Sequence, residues 1–86
     1  MCPDESFHLL RLQVVADADP CAISVVVQRL QNLNIIPRRL CAEFGINDLL
    51  YIEVDLCGVT TEQLSLIASK IGESPSIHRA HWSHRL

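Results

Sequence analysis

Residues 16–23 read ADADPCAI, and the hydrophobic period changes inside them. Upstream, residues 7–16 (FHLLRLQVVA) alternate. Leu10, Leu12, Val14 and Ala16 point one way, and Leu9, Arg11, Gln13 and Val15 the other, the two-residue repeat of a strand. Downstream, Ile23, Val26, Val27, Leu30 and Leu33 recur at helical spacing, so residues 20–33 carry one apolar stripe. Asp19 and Pro20 stand at the switch as an N-cap followed by a proline at the first helical position. The valines are poor formers of an isolated helix, which is the mark of one whose stability comes from packing on a sheet.

The remaining segments repeat the theme. Residues 35–44 (IIPRRLCAEF) read as a strand with Pro37 early, hence an edge or bulged strand, because proline cannot donate to the ladder. Gly45 to Asp48 reads as a hairpin turn. In residues 49–57 (LLYIEVDLC), Leu50, Ile52, Val54 and Leu56 take one face and Tyr51, Glu53 and Asp55 the other. Thr60 and Gln63 have capping-box spacing, Leu64, Ile67, Ala68 and Ile71 form a second helical stripe, and Gly72 closes it. Residues 76–82 (SIHRAHW) make a last strand. The order β-α-β-β-α-β with right-handed crossovers predicts an α+β, ferredoxin-like βαββαβ sandwich. It has a four-stranded antiparallel sheet with two helices on one face. One domain is expected over residues 7–82, between tails at 1–6 and 83–86.

Bulk properties narrow the function. The chain has 86 residues, 49% of them hydrophobic, and a formal charge of −3. Its mean hydropathy of +0.22 is high for so short a chain and leaves apolar surface for a partner, with a homodimer or higher oligomer expected. An acidic chain with Tyr51 as the one well-placed aromatic lacks the cationic field and stacking platform of a nucleic-acid binder. Cys2, Cys21, Cys41 and Cys57 are widely spaced, with no CxxC. A metal knuckle or disulfide framework is therefore not expected, and the chain reads as reduced and cytoplasmic. No apolar run reaches membrane-spanning length. His78, His81 and His84 stand at steps of three, but strand parity sends His78 and His81 to opposite sides, so solvated histidines are expected and a metal site is not. No nucleophile–base pair, carboxylate pair or phosphate loop marks an enzyme, so catalytic residues and cofactors are both read as none.

The pattern from Phe7 to Trp82 resembles the ACT domain. The matching pieces are LQVVADADPCAISVVVQRLQNLNIIP, LLYIEVDL, a short helix and SIHRAHW. The family's first loop commonly reads acid-x-Pro-Gly-aliphatic, and Asp17 to Ile23 stands in its place. Within the family, the length and the Asn34-Ile35 pair are most similar to the small regulatory subunit of acetolactate synthase. That resemblance implies a non-catalytic, dimerising regulatory subunit of branched-chain amino-acid biosynthesis. Its large catalytic subunit carries thiamine diphosphate, flavin and Mg²⁺; the small one carries none.

The resemblance also implies a ligand site at Asp19, Pro20, Cys21, Ala22, Ile23, Asn34 and Ile35, with a branched-chain amino acid as ligand. A helix N-terminus suits a ligand carboxylate, and glycine there lets it approach the backbone. This chain has Cys21 in place of that glycine, and Ala18 where valine-sensitive relatives carry asparagine. Three readings of the corner stay open: Asp19-Pro20 only caps a helix, the corner holds an amino acid, or Cys21 is redox-active. For the whole chain, the alternative to an enzyme subunit is a free-standing ACT homodimer acting as a small-molecule sensor.

Overall fold

The computed structural model describes residues 9–84. Phe7, His8, Cys2 and the expected N-terminal tail lie outside the described residues. The elements run β1 (Leu10–Asp17), α1 (Pro20–Asn32), β2 (Arg39–Phe44), β3 (Leu49–Leu56), α2 (Thr61–Gly72) and β4 (Ile77–His84). The strands form one antiparallel sheet in the order β2-β3-β1-β4, the ferredoxin-like arrangement expected from the sequence.

Parity on the central strands follows the alternation. Leu10, Leu12, Val14 and Ala16 of β1, and Leu50, Ile52, Val54 and Leu56 of β3, are all buried. Against them pack Ala22, Val26 and Leu30 of α1 and Leu64, Ile67, Ala68 and Ile71 of α2. Helix α2 begins with the predicted capping box: the Gln63 N–H donates to Thr60 Oγ1 at 3.0 Å, and the Thr60 N–H to Gln63 Oε1 at 2.9 Å.

The structure corrects three expectations. Strand β2 begins at Arg39, not at residue 35. The Ile35 N–H is spent on the Leu30 carbonyl (2.9 Å) and Pro37 has none, so the first ladder donor is Arg38, which reaches Asp55 O at 2.8 Å. Strand β4 runs past Trp82 to His84, because β1 offers pairing down to Arg11↔Ser83 and Leu10↔His84. Ser83 and His84 thus belong to the sheet rather than to a tail. Cys57 is disulfide-bonded, while Cys21 and Cys41 are free. The reading of a reduced chain fails at Cys57, since spacing along a sequence does not report which thiols a fold brings together.

Within the hairpin, the left-handed residue is Asp48 (φ 58°), and Gly45 instead donates to Leu49 O at 2.7 Å. No helix among the described residues is long and apolar enough to cross a membrane.

Candidate functional site

The seven residues expected to hold a ligand occupy the two ends of α1. That helix has 13 residues, so its ends stand about 20 Å apart. A single copy does not bring Asn34 and Ile35 to residues 19–23.

At the N-terminal end, Asp19 is the N-cap and its Oδ1 accepts from the Cys21 N–H at 3.0 Å. The Ala22 N–H donates to Asp19 O at 2.9 Å, and Pro20 has no N–H. The donors of the first turn are therefore taken, and a carboxylate already sits over them. Ala22 is fully buried and Ile23 packs on the core. Cys21 is exposed.

At the C-terminal end, Asn34 adopts φ 57°, a left-handed conformation that asparagine tolerates better than most residues. Its N–H donates to Gln31 O (3.0 Å), and that of Ile35 donates to Leu30 O (2.9 Å). This pair of bonds is a Schellman motif, with Leu33 as C-cap and Asn34 as the left-handed residue after it. Ile35, like Leu30, packs into the core cluster. The Asn-Ile pair that carried part of the family resemblance is thus also the sequence of a helix stop.

Beside this stop lies a groove of about 300 Å³ between α1 and β2. Its apolar lining comes from Val27, Leu30, Ile35, Ile36, Pro37 and Leu40, and its polar lining from Gln31 and Asn34. Residue periodicity did not reveal it. It exists because the chain turns away after the Schellman stop before β2 begins, and because α1 does not cover β2.

The sheet face away from the helices is a grid of ionisable groups. The registers place Arg39, Asp55, Arg11 and Ser83 in one row, Cys41, Glu53, Gln13 and His81 in the next, and Glu43, Tyr51, Val15 and Arg79 in the third. In the first row Arg11 Nε donates to Asp55 Oδ1 at 2.8 Å, and Arg39 Nη1 stands 3.6 Å from Asp55 Oδ2. Asp55 is only 4% exposed. Alternation put it correctly on the polar face but could not tell that arginines would cover it. The hydrogen bond to Asp55 raises the Arg11 pKa above the ordinary arginine range. Glu53 joins the rows, 3.5 Å from Arg11 Nη1 and 3.2 Å from Arg39 Nη1. Beyond it the face opens into a hollow of about 260 Å³ around Tyr51, Arg79 and His81.

The three histidines separate. β4 contains a register shift opposite Val15 and Ala16, so His78 is the extra residue of a bulge, and its Nε2 lies 2.7 Å from Asp17 Oδ1. His81 lies on the open face, opposite Gln13. His84 stands edge-on to Trp82, ring centroids 5.8 Å apart, while Trp82 Nε1 donates to Ser65 Oγ at 3.0 Å. No group of metal-ligating side chains gathers among the described residues.

The backbone path compares closely with solved structures. The C-terminal domain of the MgtC protein from Mycobacterium tuberculosis superposes with a TM-score of 0.76 at 19% identity, over 95% of this chain and 92% of that one. The ACT domain of GTP pyrophosphokinase from Chlorobium tepidum does so with 0.72 at 8% identity, over 87% and 96%. The chain has the ACT-like ferredoxin fold. A formyltetrahydrofolate deformylase from Pseudomonas putida matches with 0.69 at 10% identity, but over only 29% of its own length. No protein-family model matches the chain, and neither does any curated protein sequence.

Proposed function

We propose that the chain is a non-catalytic, ACT-like regulatory module that binds a small aliphatic amino acid and assembles with a biosynthetic enzyme. The observation that carries this reading is the groove beside the α1 stop. An apolar floor with two side-chain amides at its rim matches a ligand that has a branched apolar side chain and a charged head, and about 300 Å³ suits one such molecule. The ACT domain of GTP pyrophosphokinase shares the fold. The Asn34-Ile35 resemblance makes the large subunit of acetolactate synthase the first enzyme to try.

The test is titration calorimetry with valine, leucine and isoleucine, alongside co-purification with that large subunit. Asn34→Gly is the informative variant, because glycine keeps the left-handed backbone and deletes only the amide. Losing a hydrogen bond to a charged group should weaken binding by about one to two decades. Native protein that gives no heat with any of the three amino acids, and that retains no large subunit, would overturn the reading.

A further inference from the structure

The third row of the open face differs from the two beside it. In those two, Arg11 and Arg39 share the carboxylates of Asp55 and Glu53, so the charges cancel where they stand. In the third row, Glu43 and Arg79 occupy opposite ends, on β2 and β4. Neither makes an ion pair or a side-chain hydrogen bond among the described residues. Between them lie Tyr51, 39% exposed, and the half-buried Val15. All four line the hollow of about 260 Å³, as does His81, one row over on β4.

Glu43 and Arg79 are too far apart to satisfy each other. Their Cα atoms are separated by three strand spacings, about 14 Å. Side chains stand roughly perpendicular to a sheet, so the two head groups keep most of that distance. The row is thus a negative end, a flat aromatic and aliphatic middle, and a positive end. The His78 bulge directly precedes Arg79, and bulges re-aim the side chains beside them.

We propose that this row binds an extended zwitterion: a small molecule with an ammonium group at one end, a carboxylate at the other and a flat apolar middle. The ammonium group donates to Glu43 and approaches the Tyr51 ring. The middle lies over Tyr51 and Val15. The carboxylate accepts paired N–H groups from Arg79, with His81 beside it. Two such contacts of about 3 Å leave about 8 Å between the ligand's own charges. A ligand of one sign meets a repelling or unused charge at one end of the row. An α-amino acid, with its charges one carbon apart, reaches only one end. The site lies on the sheet face away from the helices, whereas the groove beside Asn34 lies on the helix side, so it goes beyond the function proposed above.

The probe is 4-(aminomethyl)benzoate, a rigid, flat zwitterion of this length. In an amide-resolved NMR titration it should give saturable shifts centred on Val15, Tyr51 and Arg79, with a dissociation constant of about 1 mM. Benzoate and benzylamine, each lacking one charge, should bind about tenfold more weakly or worse. Glu43→Gln should weaken the probe about tenfold and leave benzoate unchanged, whereas Arg79→Gln should weaken both. Both residues are exposed, so the variants should keep the native spectrum. Absence of saturable shifts on this face, benzoate or benzylamine binding as tightly as the probe, or a probe indifferent to Glu43→Gln overturns the proposal. Valine titrated into the same protein reports separately at Asn34 and Ile35, so failure of the groove and failure of the open face are told apart.

Discussion

Strands β1 and β2 run parallel to each other on either side of β3, and their helix-facing residues meet opposite fates. On β1, Leu10, Leu12, Val14 and Ala16 are all 2% exposed or less. On β2 the equivalent residues are Leu40, which is half-buried, and Ala42 and Phe44, which are exposed. The cause is layer width. Two helices of ordinary diameter cover about four strands only if they lie evenly, since helices span roughly 10 Å and strands about 4.8 Å each. Here α2 packs on β4 and α1 packs beside α2, so β2 is left with little cover. The difference separates what stabilises the fold from what the fold leaves uncovered. Burial at β1 and β3 holds the domain together, whereas the apolar groups of β2 are left partly or largely exposed.

The largest expected effect breaks this comparison at its centre. Val54 is fully buried on β3, between Leu12 and Leu40 in the register. Val54→Asp buries an unpaired charge and should cost at least about 4 kcal/mol, enough to unfold a domain of this size. Ala42→Asp puts the same charge on the same face of the neighbouring edge strand, where water reaches it. In dilute protein it should cost under about 1 kcal/mol. Thermal melts followed by circular dichroism decide it. Equal losses for the two variants would mean that β2 is covered after all.

A middle-sized effect comes from the open face, where charge ties down what the helices leave loose. Asp55 engages Arg11 of β1 and Arg39 of β2 through one buried carboxylate. Asp55→Asn halves its acceptor capacity and removes the charge, and should lower Tm by on the order of 5–10 °C. Amide exchange should speed up more in β2 than in β1. Glu53→Gln, on the same face but a third exposed, should shift Tm by about 2 °C or less. The pair also has a pH signature. A raised arginine pKa contributes stability that is fully present below the ordinary arginine range and lost only as pH climbs through the still higher folded value, so Arg11 adds no pH dependence near neutrality.

Which features were legible in the sequence follows the same division. The alternation of β1 and β3, the Asp19-Pro20 start and the Thr60–Gln63 capping box are local signals, each with its cause within a few residues. They survive folding unchanged. What depends on a neighbour was hidden: the burial of Asp55 under arginines from two other strands, the His78 bulge created by β1's register, and the disulfide at Cys57. The expected ligand residues were named by resemblance alone, and a short motif has two readers. Asp19 and Asn34 answer fully to helix capping, so their presence alone does not separate a cap from a site.

The smallest effect separates those two roles at Asn34, where α1 stops and the path to β2 is set. Its φ of 57° costs an alanine about 1 kcal/mol, because a Cβ crowds the backbone in the left-handed region. Glycine has no such penalty in the folded state, although it loses more entropy on folding. If Asn34 acts through the backbone, Asn34→Ala should lose about 1 kcal/mol and Asn34→Gly should stay within about 0.5 kcal/mol of native. The change should fall mainly on the groove side, with exchange of the Ile35 amide accelerated, since that N–H caps Leu30. Urea titrations of the three proteins, read beside the calorimetry, give both numbers from the same samples. A glycine variant as stable as native but unable to bind valine would place the amide in the ligand site. One that binds valine as native does would confine Asn34 to the turn and move the polar anchor of the groove to Gln31, its other side-chain amide.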